Sequence, residues 1–387
     1  MSAHARPLHT AAATLMSRRE LLAALGAMAL AACKVETIIN STDTTGFPRF
    51  PGCGLDTDFM VSAAARDAIR PLDDPAWVRA HESVPEYLDA GTRVIGLDVF
   101  GLTYAVPHNV LWHHEVLNLD PGGPLGPKLG ITHCPLTGSS RVFDRASIGG
   151  GRLAVSGILF MNNLMFFDRS PGDESIWPQM LGTAGCGPLE GTRIETYPFV
   201  EMSWAEWVAL HPTTRVPAQD QGFDPPFDYA DIGYPYGPYR TIETFYRPHA
   251  MPPADTRRFS KDVVIGVPSK PGAPGIAFPH DAFTELEGSF QTVGFLNEGA
   301  SAMVLWSDAA QGGAAFWPRT VTQTPVTLRA TTSGFEDDET GSTWTVDGVA
   351  VSGPLAGERL AAIDEAYTAY WRAWAAFNPD TRIWQSA

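Results

Sequence analysis

The sequence predicts a β-rich α+β fold of two tandem pseudo-repeat modules, built from mixed short strands with one Trp-rich helix near the end of each. Three observations predict it. Most apolar segments are short, β-prone and interrupted by Gly or Pro. Helical signals are few and contain Trp. Residues 94–216 recur in degraded form as residues 264–383. A duplicated, strand-rich module accounts for all three.

The first module contains five predicted strands, at 94–99, 129–132, 141–144, 153–158 and 164–167. Its helix is predicted from the capping box Ser203-Trp204-Ala205-Glu206 and continues to about Leu210. The corresponding helix of the second module is predicted at 367–377, where aromatic side chains at helical spacing form a stripe that faces the core.

The repeat predicts where the chemistry lies. Trp204 and Trp207 recur 167 positions later as Trp371 and Trp374. The segment 132–138, which contains Cys134, aligns with 305–311, where Ser307 replaces the cysteine. The second copy therefore keeps packing residues and loses reactive ones, so we expect the functional site in the first module.

The N-terminus resembles an export signal. Residues 18 and 19 resemble the arginine pair of twin-arginine signals, and residues 30–33 match the lipobox of bacterial lipoproteins, which ends in a lipidated cysteine, here Cys33. The apolar run between them is shorter than the roughly 20 residues of a membrane span. We expect an exported protein, anchored through Cys33 to the periplasmic or cell-surface face of a bacterial membrane, with Met16 as an alternative start.

Five regions follow from these patterns: the signal at 1–33, a tether and N-terminal extension at 34–68, the first module at 69–216, a connector at 217–254 and the degenerate second module at 255–387. The connector is rich in Pro, Phe and Tyr, whereas a flexible linker is poor in aromatic residues. We therefore expect it to pack against a module or to cover a cleft.

Charge excludes one class of partner. The net charge is −16, and Lys and Arg form no cluster that would bind phosphates. The sequence therefore predicts no nucleic-acid partner. It is compatible with a small-molecule or thiol substrate and indicates no particular protein partner.

Cys134 is the predicted reactive residue. A thiolate needs a nearby positive charge, a hydrogen-bond donor or a metal, and the loop after it offers the hydroxyls of Thr137 and Ser139. His133 precedes Cys134, although alternation along a strand directs the two side chains to opposite faces. If Cys33 is lipidated, three cysteines remain, which allows one disulfide and one free thiol, with the pairing open.

A second group of polar residues is His113-His114-Glu115. Imidazole and carboxylate together suit a metal site or a base that activates a thiol. We favour His114 beside Glu115, with His113 as the alternative, or structural roles for both histidines. His108 recurs as His280 in the second module, which favours a structural role for His108.

Two Phe-Asp-Arg triplets end in Arg145 and Arg169. These arginines could pair with aspartates or bind an anion. They join Thr137 and Ser139 as candidate cofactor-binding residues.

Several ordered blocks of the sequence resemble the signature of a bacterial and archaeal family, the domain of unknown function 3179. The blocks begin at the following residues: His114, Cys134, Val142, Ser156, Phe167, Ser175 and Gly187. The resemblance spans about residues 69–320 and implies an exported or lipid-anchored protein, without an established activity. Many members carry Cys-Pro-Leu-Cys where this chain has Cys-Pro-Leu-Thr, and some relatives place selenocysteine at the position of Cys134, which implies redox chemistry.

Three functions remain open at this point. The first is a thiol-dependent oxidoreductase in which Cys134 reacts, assisted by His114 and Glu115. The second is a soft-metal protein, with copper as the expected ion, that uses Cys134 and His114 with His113 or His133 as further ligands. The third is a non-catalytic surface scaffold whose aromatic connector binds a partner.

Overall fold

The computed structural model describes residues 53–123, 126–169, 174–230, 234–270, 273–297, 300–320 and 326–385. The predicted export signal, Met16 and Cys33 lie outside these residues. Strand accounts for 39% and helix for 14%, which confirms the β-rich α+β class. In the described part of the chain, no helix has the length and apolar character needed to cross a membrane.

The strands are short and follow one another along the whole chain. In order they are β1 (Met60–Ser62), β2 (Leu72–Asp73), β3 (Trp77–Arg79), β4 (Arg93–Val99), β5 (Leu102–Pro107), β6 (Val116–Leu119), β7 (Leu129–Cys134), β8 (Ser139–Asp144), β9 (Leu153–Phe160), β10 (Asn163–Asp168), β11 (Ile176–Pro178), β12 (Glu195–Thr196), β13 (Val200–Ser203), β14 (Arg215–Pro217), β15 (Val263–Val267), β16 (Ile276–Pro279), β17 (Phe290–Asn297), β18 (Ala300–Ser307), β19 (Gly312–Thr320), β20 (Leu328–Thr331), β21 (Gly334–Asp337), β22 (Thr343–Trp344), β23 (Ala350–Ser352), β24 (Leu360–Ala362), β25 (Tyr367–Tyr370) and β26 (Arg382–Ile383).

Within the described ranges, four short α-helices interrupt the strands: α1 (His108–His114), α2 (Trp204–Leu210), α3 (His280–Thr284) and α4 (Trp371–Phe377). Helix α2 begins where the capping box predicts, because the Ser203 hydroxyl accepts the Glu206 N–H at 3.4 Å. Helix α4 begins later than predicted, since residues 367–370 pair with β15 and form β25 instead.

Five sheets hold these strands. Their strand orders are β1-β9-β10-β11, β12-β8-β7-β6-β2, β17-β18-β19-β13-β4-β5-β14-β3 with β24 beside β19, β25-β15-β16-β26 and β20-β21-β22-β23. The largest sheet joins strands from both predicted modules, where Glu201 on β13 pairs with Gly313 on β19.

The strand that carries Cys134 lies at the centre of its sheet. All six residues of β7 are buried, and the strand pairs with β6 on one side and β8 on the other. The turn into β8 is tight: Gly138 has a φ of +58° and its Cα faces the Tyr370 ring, which a Cβ would approach to 2.8 Å. This close approach brings the second half of the chain against the Cys134 turn.

The connector packs against the first module. Tyr239 donates its hydroxyl hydrogen to the Leu136 carbonyl at 2.9 Å, and Asn109 donates to the Tyr229 carbonyl at 2.7 Å. The aromatic residues of the connector therefore cover the turn that follows Cys134.

Two contacts of a tryptophan indole in the first predicted module recur in the second. The indole of Trp207 donates to the Thr214 hydroxyl at 2.9 Å, and the indole of Trp374 donates to the Thr381 hydroxyl, also at 2.9 Å. Each indole also packs directly on a strand glycine in β4 or β15, so that a Cβ there would overlap the ring.

Candidate functional site

The candidate site is a cavity of about 480 Å³ that residues from both halves of the chain and from the connector line. The lining residues are Asp89, Gly91, Thr92, Arg93, His108, Asn109, Trp112, His133, Pro135, Gly138, Tyr234, Arg240, Lys261, Val263, Thr368 and Tyr370. This volume is typical of a small-molecule pocket.

Two imidazoles and one carboxylate meet beside the cavity. His108 is the first residue of α1, His133 lies on β7 and Glu201 lies on β13. All three side chains are buried, and their potential ligand atoms lie within 4.8 Å of one another. His108 Nε2 lies 2.6 Å from Glu201 Oε1, and the centroids of the two imidazole rings are 4.1 Å apart. We refer to these three residues as the His–His–Glu cluster.

Ser140 connects the members of this cluster. Its register on β8 places it opposite His133. The Ser140 hydroxyl donates to Glu201 Oε1 at 2.7 Å and lies 3.0 Å from His133 Nδ1. Among the described residues, none donates a well-directed hydrogen bond to the other carboxylate oxygen, Glu201 Oε2, although Thr368 stabilises the ionised carboxylate.

The electrostatics hold two members of the cluster, His133 and Glu201, in the form that metal ligation requires. Burial lowers the pKa of His133 well below its usual range, and His108 and Arg93 lower it further. Burial by itself raises the pKa of Glu201, but the hydrogen bond from His108 and the charges of His108 and Arg93 outweigh it and hold that pKa well below its usual range. His133 is therefore neutral and Glu201 is ionised near neutral pH, as metal ligation requires.

Cys134 lies on the opposite face of β7 from His133 and is not among the residues that line the cavity. Its thiol is 1% exposed and accepts the Leu164 N–H at 3.3 Å. Burial, followed by the charge of Glu115, raises the pKa of Cys134 to about 11. Cys53 and Cys186 form a disulfide, and Cys134 is the free thiol of the described chain.

Glu115 and His114, the predicted partners of Cys134, lie in different environments. Burial raises the pKa of Glu115 to about 7, and its carboxylate accepts from the Tyr236 hydroxyl at 3.3 Å near the thiol. His114 uses both ring nitrogens elsewhere: its Nδ1 lies 2.8 Å from the Arg70 carbonyl, and its Nε2 lies 2.7 Å from the Tyr229 hydroxyl. Burial lowers the pKa of His114 to about 4, so this imidazole is a neutral, fully hydrogen-bonded group.

The alternative histidine, His113, packs against aromatic residues of the connector. Its ring centroid lies 5.4 Å from that of Phe227 and 5.7 Å from that of Tyr229. Burial lowers the pKa of His113. Its Nε2 is buried without a hydrogen-bond partner in the described part of the chain.

The four candidate cofactor-binding residues lie outside the cavity lining. The Thr137 and Ser139 hydroxyls are 2.8 Å apart, and Ser139 donates to Gln179 at 2.7 Å in a buried network. Arg145 forms an ion pair with Asp120 and donates to the Gly150 carbonyl at 3.0 Å.

The second arginine of the repeated triplets lies at the surface. Arg169 forms an ion pair with Asp67, and its side chain is 39% exposed. The structure thus places both triplet arginines in ion pairs with aspartates.

Sequence reasoning missed Glu201 and ranked His108 as structural. A signal for Glu201 existed: it is a carboxylate inside a short apolar strand, between Val200 and Met202. The retention of His108 as His280 favoured a structural role, because a residue kept in both copies suggests folding. Only the pairing of β13 with β4 brings Glu201 to His108.

The fold and the cavity define a β-rich protein with a buried His–His–Glu cluster at a small-molecule-sized pocket. The family model described as "Protein of unknown function (DUF3179)" matches residues 66–381. The chain therefore belongs to that family, as the resemblance in its signature blocks predicts. Comparison with curated proteins and with solved structures gave no match.

Proposed function

We propose that the protein binds a transition-metal ion through His108, His133 and Glu201, with an open coordination position that faces the cavity. The observation that carries the proposal is the convergence of three buried ligand atoms within 4.8 Å of one another. Two imidazoles and one carboxylate form a ligand set found in catalytic zinc sites and in non-haem iron sites. Such sites keep a position for water or substrate.

This ligand set differs from the copper site that the sequence predicts with Cys134 and His114. The thiol lies on the other face of β7, and His114 uses both ring nitrogens in hydrogen bonds. Without a thiolate, the set loses its preference for Cu(I) and suits Zn²⁺, Fe²⁺ or Cu²⁺.

Metal analysis of the full chain, purified without chelator, tests this proposal. We expect about one equivalent of metal in the wild type, and loss of that metal in His133→Gln and Glu201→Gln. Cys134→Ser and the surface control His81→Ala should retain the metal. Equal metal content in all five proteins, or loss only in Cys134→Ser, would reject the His–His–Glu site. Circular dichroism of each variant separates loss of metal from loss of fold.

A thiol-based redox function at Cys134, with a small-molecule or thiol substrate, is the second candidate. The observation in its favour is that the free sulfur accepts the Leu164 N–H at 3.3 Å and lies near Glu115, a potential proton acceptor. A pKa of about 11 leaves little thiolate at neutral pH, and the residue is buried, so reaction requires local opening around Cys134. Loss of thiol reactivity in Cys134→Ser, but not in Cys186→Ser, would support this candidate; equal reactivity would reject it.

We also propose that the second module is a degenerate copy that provides a wall of the cavity. The repeated indole contacts support this, as do two related backbone hydrogen bonds. Ser203 N–H donates to the Ala310 carbonyl at 2.7 Å, and Tyr370 N–H donates to the Thr137 carbonyl at 2.8 Å. Ser203 aligns with Tyr370, and Thr137 with Ala310, in the sequence repeat. Superposition of the two modules in an experimental structure would test the duplication.

Export and lipid anchoring complete the proposal. They rest on the arginine pair at 18–19 and on Cys33, which lie outside the described residues. Cys33→Ser should release the protein from the membrane fraction, and Lys at both arginine positions should block export. Unchanged fractionation of both variants would remove this part of the proposal.

A further inference from the structure

The charged side chains that line the cavity are mainly positive, whereas the protein as a whole carries a net negative charge. The whole chain carries a net charge of −16, yet three cationic side chains line the cavity: Arg93, Arg240 and Lys261. Asp89 is the acidic residue of the lining, and it is exposed. A pocket that concentrates positive charge in an acidic protein is suited to an anionic ligand.

Lys261 is a buried cation that the nearby charge of Glu243 compensates only in part. Its side chain is 5% exposed, and the ammonium donates to the carbonyls of Tyr239 at 3.1 Å and Thr244 at 3.3 Å. Within the described ranges, no carboxylate lies within 4 Å of Nζ. Burial lowers the pKa of Lys261 to about 8. Burial of this charge is costly because Glu243 offsets it only in part, and a bound anion would reduce that cost further.

Arg93 provides a second site for an anion. Its Nη1 donates to the Gln311 carbonyl at 2.5 Å, whereas Nη2 is buried without a hydrogen-bond partner among the described residues. Desolvation lowers the pKa of this guanidinium even though Glu201 opposes the effect. A buried N–H group without a partner is uncommon and favours a ligand that accepts a hydrogen bond.

The remaining walls are flat and apolar. Trp112, Tyr234 and Tyr370 line the cavity, and the indole of Trp112 packs edge-on against the Tyr234 ring at 4.8 Å. The Arg240 guanidinium lies 4.2 Å from the Tyr234 ring centroid and 4.8 Å from that of Trp112. Aromatic walls favour a ligand with a planar ring.

We propose that the cavity binds a small aromatic carboxylate, whose ring lies among Trp112, Tyr234 and Tyr370 and whose charge pairs with Lys261 and Arg93. The inference extends the proposed metal function by naming the ligand class, and it rests on that function only for the coupling between the two ligands. A divalent ion at the His–His–Glu cluster adds positive charge beside Arg93. The anion compensates this charge, so each ligand strengthens the binding of the other.

Calorimetry of the full, metal-depleted chain with benzoate, benzamide and phosphate tests the ligand class. Benzoate should bind, and benzamide, which has the ring without the charge, should bind roughly tenfold more weakly. Lys261→Met and Arg93→Gln should each weaken benzoate binding by a similar factor. Lys128→Met, a change at a lysine outside the cavity, should leave it unchanged. Equal binding of benzoate and benzamide, stronger binding of phosphate, or no effect of Lys261→Met overturns the inference.

A second titration separates the failure of this inference from the failure of the metal proposal. Co²⁺ is titrated into the protein with and without benzoate, and the Kd of Co²⁺ should decrease in its presence. If Co²⁺ does not bind but benzoate binds the metal-depleted protein, the metal proposal fails and the aromatic carboxylate site stands. If Co²⁺ binds and benzoate does not, the metal proposal stands and the aromatic carboxylate site fails. Binding of both without coupling overturns the charge-compensation argument.

Discussion

His108 Nε2 lies 2.6 Å from Glu201 Oε1, and this contact joins the first turn of α1 to strand β13. The two residues are 93 positions apart in the chain. Both are buried, and the carboxylate is held ionised by the imidazole and by Arg93. The contact therefore supports the fold and places a charged carboxylate against His108, which lines the cavity.

Removal of the Glu201 charge should destabilise the metal-free protein. We expect Glu201→Gln to lower the free energy of unfolding by about 3 kcal/mol, because Arg93 and His108 lose their buried counter-charge. Urea denaturation in the presence of chelator measures the change. Glu195→Gln, at an exposed carboxylate, is the matched control and should unfold like the wild type. A stability equal to that of the control would show that Glu201 does not hold the cluster together.

Glu115 should make the protein less stable as pH rises. Its pKa is about 7 in the folded protein, whereas in the unfolded chain it is near 4.3. Between these values the folded state binds more protons, so stability falls with increasing pH. Glu115→Gln removes this dependence. Relative to the wild type, the variant should gain roughly 3 kcal/mol between pH 4 and pH 8. Urea denaturation at several pH values measures the difference, and a constant difference would contradict the raised pKa.

The two glycines beneath the indoles should tolerate no side chain. A Cβ at Gly96 would overlap the Trp207 ring, and one at Gly266 would overlap the Trp374 ring. We expect Gly96→Ala and Gly266→Ala each to lower stability by about 3 kcal/mol. Thermal denaturation measures the loss, and Gly91→Ala, where a Cβ would have no atom within 4 Å, is the control. Comparable melting temperatures for all three would contradict this packing.

Access to Cys134 should depend on the connector. The Tyr239 hydroxyl bonds to the Leu136 carbonyl in the turn after the cysteine. Loss of this bond in Tyr239→Phe should cost about 1 kcal/mol and speed labelling of the thiol about fivefold, since labelling requires local opening. The rate at which Cys134 reacts with a thiol reagent measures this accessibility. Tyr246→Phe, in the same segment, should label at the wild-type rate, and equal rates for both variants would show that the connector does not control access.

Local patterns in the sequence determined the elements. The strand predicted at 94–99 is Arg93–Val99, and the one at 153–158 is Leu153–Phe160. The capping box placed the start of α2, because a serine hydroxyl satisfies a helix N–H whatever surrounds it. The start of α4 could not be predicted in this way. Pairing with β15 converts residues 367–370 into a strand, and such pairing outweighs helical spacing.

The sequence also determined the family, through ordered blocks that need no tertiary information. Only the tertiary structure decided which polar side chains meet. His133 and Cys134 are adjacent in sequence but lie on opposite faces of β7, whereas His108, His133 and Glu201 come from three separate elements. The physical reason is that β-sheet register and burial join residues far apart in the chain, and these long-range pairings leave no periodic signal in the sequence.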